Sequence, residues 1–197
     1  MSKFKIVLIG DSGVGKTAIF TRFDKDTFIE DTGMTIGGAF TRVDVNTEKG
    51  PLELGIWDTA GQERFRNVVP MYFQRAFMVL IVYDLTNDET FEHLNDWIQM
   101  SKEKAPPNCK FIIIGNKSDL FSSRAVPFTS AQSLGHQRDA LFVLETSAKT
   151  GEGIDILLQK ITEECMKTEL PDNPDEIRSS PTPYQEENTS QSNSCFC

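Results

Sequence analysis

The chain has 197 residues, 39% hydrophobic and 25% charged, which suits one well-cored domain plus a tail and leaves too little for two enzymatic domains. A formal net charge of −9 without any Lys/Arg run excludes a binder of nucleic-acid backbone, which needs a basic face. No apolar run approaches the roughly 20 residues that span a bilayer, and the first residues lack a secretory h-region, so a cytosolic chain is expected whose four cysteines form no disulfide framework.

Phe4–Ile9 is a short apolar run that reads as a strand. It leads into Gly10-Asp11-Ser12-Gly13-Val14-Gly15-Lys16-Thr17, a match to the phosphate-loop pattern G-x-x-x-x-G-K-[ST]. The glycines let the backbone of Ser12, Gly13, Val14 and Gly15 curl its N–H groups around phosphate oxygens. Lys16 adds a point charge, and the Thr17 hydroxyl can ligate Mg²⁺. A glycine-rich turn with a surface lysine is the bland alternative. A strand before the loop and a helix after it make that alternative the weaker one.

Phe28 could stack on a purine, although on sequence alone an ordinary core phenylalanine is the plainer reading. Thr35, in the glycine-rich stretch 31–38, can lend its hydroxyl to Mg²⁺ only while a γ-phosphate is present, which would make the segment an order–disorder switch. Phe40–Val45 alternates and is expected to pair with Leu52–Trp57 across Glu48-Lys49-Gly50-Pro51 as an antiparallel edge. Asp58 at the end of that strand is placed to hold Mg²⁺, mostly through water. Gly61 could turn its N–H to a γ-phosphate, and Gln62 could orient a water for in-line attack.

Phe77–Tyr83 reads as a buried strand, and Thr86-Asn87-Asp88-Glu89 as a capping box opening a helix with Phe91, Leu94, Trp97, Ile98 and Ser101 on one face. His93 and His136 are expected on helix surfaces, and Cys109 and Cys165 as packing residues. Lys110–Gly115 is a further strand, followed directly by Asn116-Lys117-Ser118-Asp119. A carboxylate at Asp119 can accept both N1–H and N2–H of guanine, a donor pair that adenine lacks. Asn116 can tie loops together and the Lys117 stem can cover a ring face. Alone the tetrapeptide could be an Asx-rich turn; together with the phosphate loop it points to a guanine nucleotide.

Ser130–Asp139 is a weaker helix with Gly135 inside it, and Leu141–Leu144 a last strand. Thr146-Ser147-Ala148-Lys149 could present a backbone N–H to guanine O6. Ile154, Leu157, Leu158, Ile161 and Cys165 form a helical stripe. Strands alternating with helices predict an open α/β sheet with helices on both faces and ligands beyond the carboxyl ends of the strands. The expected division is a domain over 1–168 and, over 169–197, a disordered acidic tail rich in Pro, Ser, Asn and Gln.

Gly10–Thr17, Thr35, Asp58–Gln62, Asn116–Asp119 and Ser147–Lys149, in this order and spacing, resemble the Ras-like small GTPases over roughly residues 4–168. Trp57–Phe65, Thr35-Ile36-Gly37 and Tyr83-Asp84-Leu85-Thr86 are most similar to the Rab family, as is the set Phe40, Trp57 and Tyr72, which resembles its aromatic triad on the effector face. The resemblance implies a P-loop NTPase fold with a mostly parallel six-stranded sheet, one antiparallel edge strand and five helices. It implies GTP and GDP as bound nucleotide, Mg²⁺ as cofactor, and slow hydrolysis of GTP. It also implies a monomer partnered by exchange factors, GTPase-activating proteins, a prenylation escort, a dissociation inhibitor and trafficking effectors.

Cys195-Phe196-Cys197 resembles the Cys-x-Cys ending that receives two geranylgeranyl groups. One lipid chain alone gives marginal binding and the acidic tail offers no polybasic second signal, so attachment would need both cysteines. The expected location is the cytoplasmic face of intracellular membranes, in exchange with the cytosol. Gly38-Ala39, Gly55 and Arg75 depart from the Rab pattern on the switch surface. Other readings are a P-loop ATPase or nucleotide kinase, disfavoured by Asp119, a non-hydrolysing module that stays GTP-bound, and another signalling GTPase of the Ras superfamily.

Overall fold

The computed structural model describes residues 2–30, 37–60 and 68–168. Thr35, Gly61, Gln62, Cys195, Cys197 and the whole of 169–197 lie outside the described residues. Six strands, β1 (Ser2–Ile9), β2 (Gly38–Thr47), β3 (Gly50–Thr59), β4 (Met78–Asp84), β5 (Lys110–Asn116) and β6 (Phe142–Glu145), form one sheet in the order β2-β3-β1-β4-β5-β6. All neighbours are parallel except β2 and β3. The expected α/β architecture is therefore present, with its one antiparallel edge.

The unbroken apolar runs of β1, β4 and β5 follow from burial on both faces. Ile6, Leu8, Met78, Leu80, Ile112 and Ile114 point into one core, while Val7, Ile9, Val79, Ile81, Phe111 and Ile113 point into the other. The first core is closed by α1 (Lys16–Lys25) through Ala18, Ile19 and Phe23, and by α6 (Ile154–Met166) through Ile154, Leu157, Ile161 and Cys165. The second is closed by α2 (Val69–Tyr72), α4 (Leu94–Lys104) and α5 (Phe128–Gln137) through Val69, Leu94, Trp97, Ile98 and Ala131. Each fully buried Ile or Leu contributes about 2 kcal/mol of transfer free energy, so these two layers outweigh any surface pairing.

Local details depart from the sequence reading. The β2–β3 turn is tighter than Glu48–Pro51, because Thr47 already pairs with Gly50 and leaves Glu48 and Lys49 as the turn. The N-cap near residue 86 is Asn87, whose side chain accepts Glu89 N–H at 2.9 Å, while Thr86 Oγ1 donates instead to Asp84 Oδ1 at 2.7 Å. The helix expected to run through Ser101 is broken at His93 into α3 (Asp88–Glu92) and α4, so the described residues hold six α-helices rather than five. Gly135 sits inside α5 because a Cβ there would lie 2.3 Å from Val143 Cγ2, and the missing side chain lets the helix press onto β6. Arg75 adopts left-handed backbone at φ 59, a conformation that favours glycine over any residue with a Cβ.

Candidate nucleotide site

Loops following β1, β5 and β6 meet, beside the end of β3, at the carboxyl ends of the strands, where an open α/β sheet offers a crevice. The phosphate loop is shaped by close approach. A Cβ on Gly10 would lie 2.1 Å from Val82 O, and one on Gly15, itself at φ 93, would lie 2.2 Å from Asn116 Nδ2. Ser12 and Gly13 are exposed, whereas Val14 is buried in the core below. Lys16 and Thr17 open α1, whose first-turn N–H groups have no intrahelical acceptor and so favour anions.

Lys16 is buried and donates its Nζ to Asp11 O at 2.6 Å. Burial pulls its pKa down to about 8, against the opposing attraction of Asp58 and Asp11. Asp58 is fully buried at the end of β3, and the same desolvation raises its pKa although the Thr17 hydroxyl and Lys16 pull the other way. Thr17 Oγ1 donates to Asp58 Oδ2 at 2.7 Å. Asp58 Oδ1 is buried with no hydrogen-bond partner among the described residues. An orphaned carboxylate oxygen is costly, and a hard cation beside it would remove that cost. Two hard oxygen donors next to a phosphate loop fit Mg²⁺, which keeps several waters and takes phosphate oxygens rather than an all-protein cage. Gly37 O accepts Ala60 N–H at 3.0 Å, tying the strand after the Thr35 segment to the strand that carries Asp58.

The base-side residues form one hydrogen-bonded unit. Asn116, at the end of β5, donates Nδ2 to Val14 O at 2.9 Å, while its Oδ1 accepts the Thr146 hydroxyl at 3.2 Å and Ala148 N–H at 3.1 Å. Of the Thr146–Lys149 segment expected to offer a backbone N–H to guanine O6, the Ala148 amide is thus engaged by Asn116. Ser147 Oγ donates to Asp119 Oδ1 at 2.6 Å, fixing the carboxylate plane. Lys117 is held at φ 71, with Nζ 2.6 Å from Asp84 Oδ2. Lys149 is exposed. Phe28 is half-buried and packs against the first core.

Three residues that sequence reasoning passed over support this site. Arg22 of α1 donates Nε to Ala148 O and Nη2 to Lys149 O, both at 2.7 Å, so the helix behind the phosphate loop also carries the third base-side loop. A basic residue on the core-facing side of an amphipathic helix was the available signal. Asp84 steadies Lys117 from the end of β4. His93 keeps a surface position, its side chain 39% exposed, but also places Nδ1 2.6 Å from Asp11 Oδ2, a contact between residues 82 positions apart that no local pattern announces. His136 is exposed as expected.

Residues 5–167, nearly the whole described chain, match the family model described as the Ras family. The chain belongs to the Ras family. It is a small GTPase, a switch of the kind that binds GTP and GDP with Mg²⁺ and answers to exchange factors and GTPase-activating proteins.

In a Ras-family site of this geometry, the phosphate loop and Lys16 would hold the polyphosphate through N–H groups and one buried charge. Asp119, oriented by Ser147, would accept from guanine. Thr17 and Asp58 would hold Mg²⁺, which supplies positive charge against the phosphate oxygens when bound.

Proposed function

We propose that this Ras-family chain is a Rab-type switch that recruits effectors in vesicle traffic and reaches the cytoplasmic face of intracellular membranes through two geranylgeranyl groups on Cys195 and Cys197. One observation carries the reading. Phe40, Trp57 and Tyr72, spread over β2, β3 and α2, form one aromatic surface, with ring centroids 4.9 Å apart for Phe40–Trp57 and 6.0 Å for Trp57–Tyr72. Phe40 is 50% exposed, which leaves an apolar face for a partner. The glycines that depart from the Rab pattern support this same surface. A Cβ at Gly55 would lie 3.2 Å from the Phe40 ring and one at Gly38 would lie 2.6 Å from Tyr72 Oη, so both rings settle onto bare backbone.

Catalysis follows the same reading. Gln62 orients the attacking water and Gly61 and Thr35 respond to the γ-phosphate, with slow turnover that a GTPase-activating protein accelerates. The chain acts as a monomer, and an escort and a dissociation inhibitor handle its lipidated form.

Incubation of the full chain with geranylgeranyl donor, the Rab-type transferase and its escort tests the assignment. Addition of two lipids, lost when Cys195 and Cys197 are both changed to serine, is expected. Failure to add any lipid would point to another branch of the superfamily. GTP-loaded protein should release GDP slowly, and Gln62→Leu should abolish stimulated hydrolysis while leaving binding intact; retained GTP in the unaltered chain would mean a constitutive binding module.

A further inference from the structure

Asp11, the second residue of the phosphate loop, brings a carboxylate to the edge of a site for polyphosphate. Its side chain is mostly buried, and both oxygens are engaged. Oδ1 accepts the indole Nε1–H of Trp97 at 2.8 Å, and Oδ2 lies 2.6 Å from His93 Nδ1. A carboxylate only accepts, so the His93 proton sits on Nδ1. The main-chain carbonyl of Asp11 meanwhile accepts from Lys16 Nζ. Asp11 is therefore gripped from two directions, its carbonyl by the phosphate-binding lysine and its carboxylate by the α3–α4 junction.

The break in the helix serves that grip. His93 is both the last cap of α3, donating its backbone N–H to Glu89 O, and the residue before α4, where its carbonyl accepts Trp97 N–H at 3.2 Å. One helical turn separates His93 from Trp97, so both side chains reach the same acceptor. Trp97 is itself locked in the second core at 1% exposure, which makes the junction a rigid anchor.

We propose that His93 is a positioning residue for nucleotide binding: together with Trp97 it fixes Asp11, and through Asp11 the phosphate loop, so that release of guanine nucleotide is slowed from outside the nucleotide motifs. Loss of one donor would remove a hydrogen bond from a largely desolvated carboxylate beside the bound phosphates and loosen its hold on the loop. The device would serve any switch of this family, whether or not the chain attaches to membranes.

Dissociation of a fluorescent GDP analogue from the full chain, with the indole N–H resonance of Trp97 followed in parallel, tests this. His93→Leu should speed release about tenfold, the worth of one hydrogen bond to a charged group, and should shift that resonance. His93→Asn, whose amide nitrogen falls where Nδ1 lies, should restore both. Trp97→Phe, which removes the second donor together with part of a buried ring, should also speed release, and is read only on samples whose circular dichroism matches the unaltered chain. In an Asp11→Asn background, His93→Leu should add little. Release within twofold of the unaltered chain for both His93→Leu and Trp97→Phe would overturn the proposal, as would His93→Asn behaving like His93→Leu. An undiminished effect in the Asp11→Asn background would show that His93 acts elsewhere and would overturn it equally.

Discussion

Asn116 joins the end of β5 to the phosphate loop by donating to Val14 O at 2.9 Å, across 102 residues of chain. Its Oδ1 takes two more donors from the loop after β6, so a single amide locks three loops. Asn116→Leu would leave the Val14 carbonyl, the Thr146 hydroxyl and the Ala148 amide without that partner. Each buried orphan costs about 1 to 3 kcal/mol. The expected result in urea denaturation is a loss of about 3 kcal/mol or more, accompanied by GDP release at least a hundredfold faster. Asn116→Asp keeps the Oδ1 acceptor but sets a buried carboxylate oxygen against the Val14 carbonyl, so it should not recover the lost stability.

Ser147 governs how Asp119 faces the base. With the hydroxyl on Oδ1 at 2.6 Å, the other oxygen and the plane of the carboxylate are fixed. Ser147→Ala should raise GDP release about tenfold while keeping guanine preference, because the acceptor remains but is less ordered. Asp119→Asn should shift preference toward xanthine nucleotides. Competition binding with GDP and xanthosine diphosphate separates the two, and a Ser147→Ala variant as tight as the unaltered chain would remove Ser147 from the site.

Lys16 makes stability depend on pH once nucleotide and Mg²⁺ are stripped with chelator and phosphatase. Burial lowers its pKa from 10.5 to about 8 in the folded chain. Between those values the unfolded chain binds more protons than the folded one, so this group's contribution to stability rises with pH. Below about pH 8 the fold carries a buried charge worth about 3 kcal/mol, and that cost is relieved as the lysine deprotonates. Lys16→Met should abolish nucleotide binding, raise the stability of stripped protein at pH 7, and lose the rise between about pH 8 and 10. Parallel denaturation curves of the two proteins that keep a constant gap over this range would refute the assignment.

Much of this was legible in the sequence because the signals are local. Phe4–Ile9 and Lys110–Gly115 are apolar enough to require two-sided burial, and each runs directly into a motif, so topology places the motif at the strand end. The Asn87 cap was missed by one residue because Thr86 and Asn87 both suit a cap, and Thr86 is taken by the longer-range demand of Asp84. His93 does lie at the surface, but its contact with Asp11 has no local signal. Only the packing of α4 on β4, which brings Trp97 and His93 under the phosphate loop, reveals it. Arg22 and Asp84 were hidden for the same reason: backbone carbonyls and lysine stems have no sequence signature as partners.

Gly38 offers a test of the aromatic face at small cost to the fold. An added Cβ would come within 2.6 Å of Tyr72 Oη and 2.8 Å of Tyr72 Cε1, side-chain atoms at the free end of a half-buried ring. The ring can therefore yield where backbone could not. Gly38→Ala should displace Tyr72, alter its packing on Trp57, and leave the melting temperature within about 4 °C, the shift expected for about 1 kcal/mol in a domain of this size. Trp57 emission reports the ring directly if measured with Trp97 replaced by phenylalanine in both proteins. A changed emission with near-constant stability would show that glycine at 38 is there for the shape of the surface, and an effector selected on the unaltered chain should then bind the variant more weakly. Unchanged emission would mean that Tyr72 finds room without moving away from Trp57, and the glycine would have to be explained by the backbone of β2 instead.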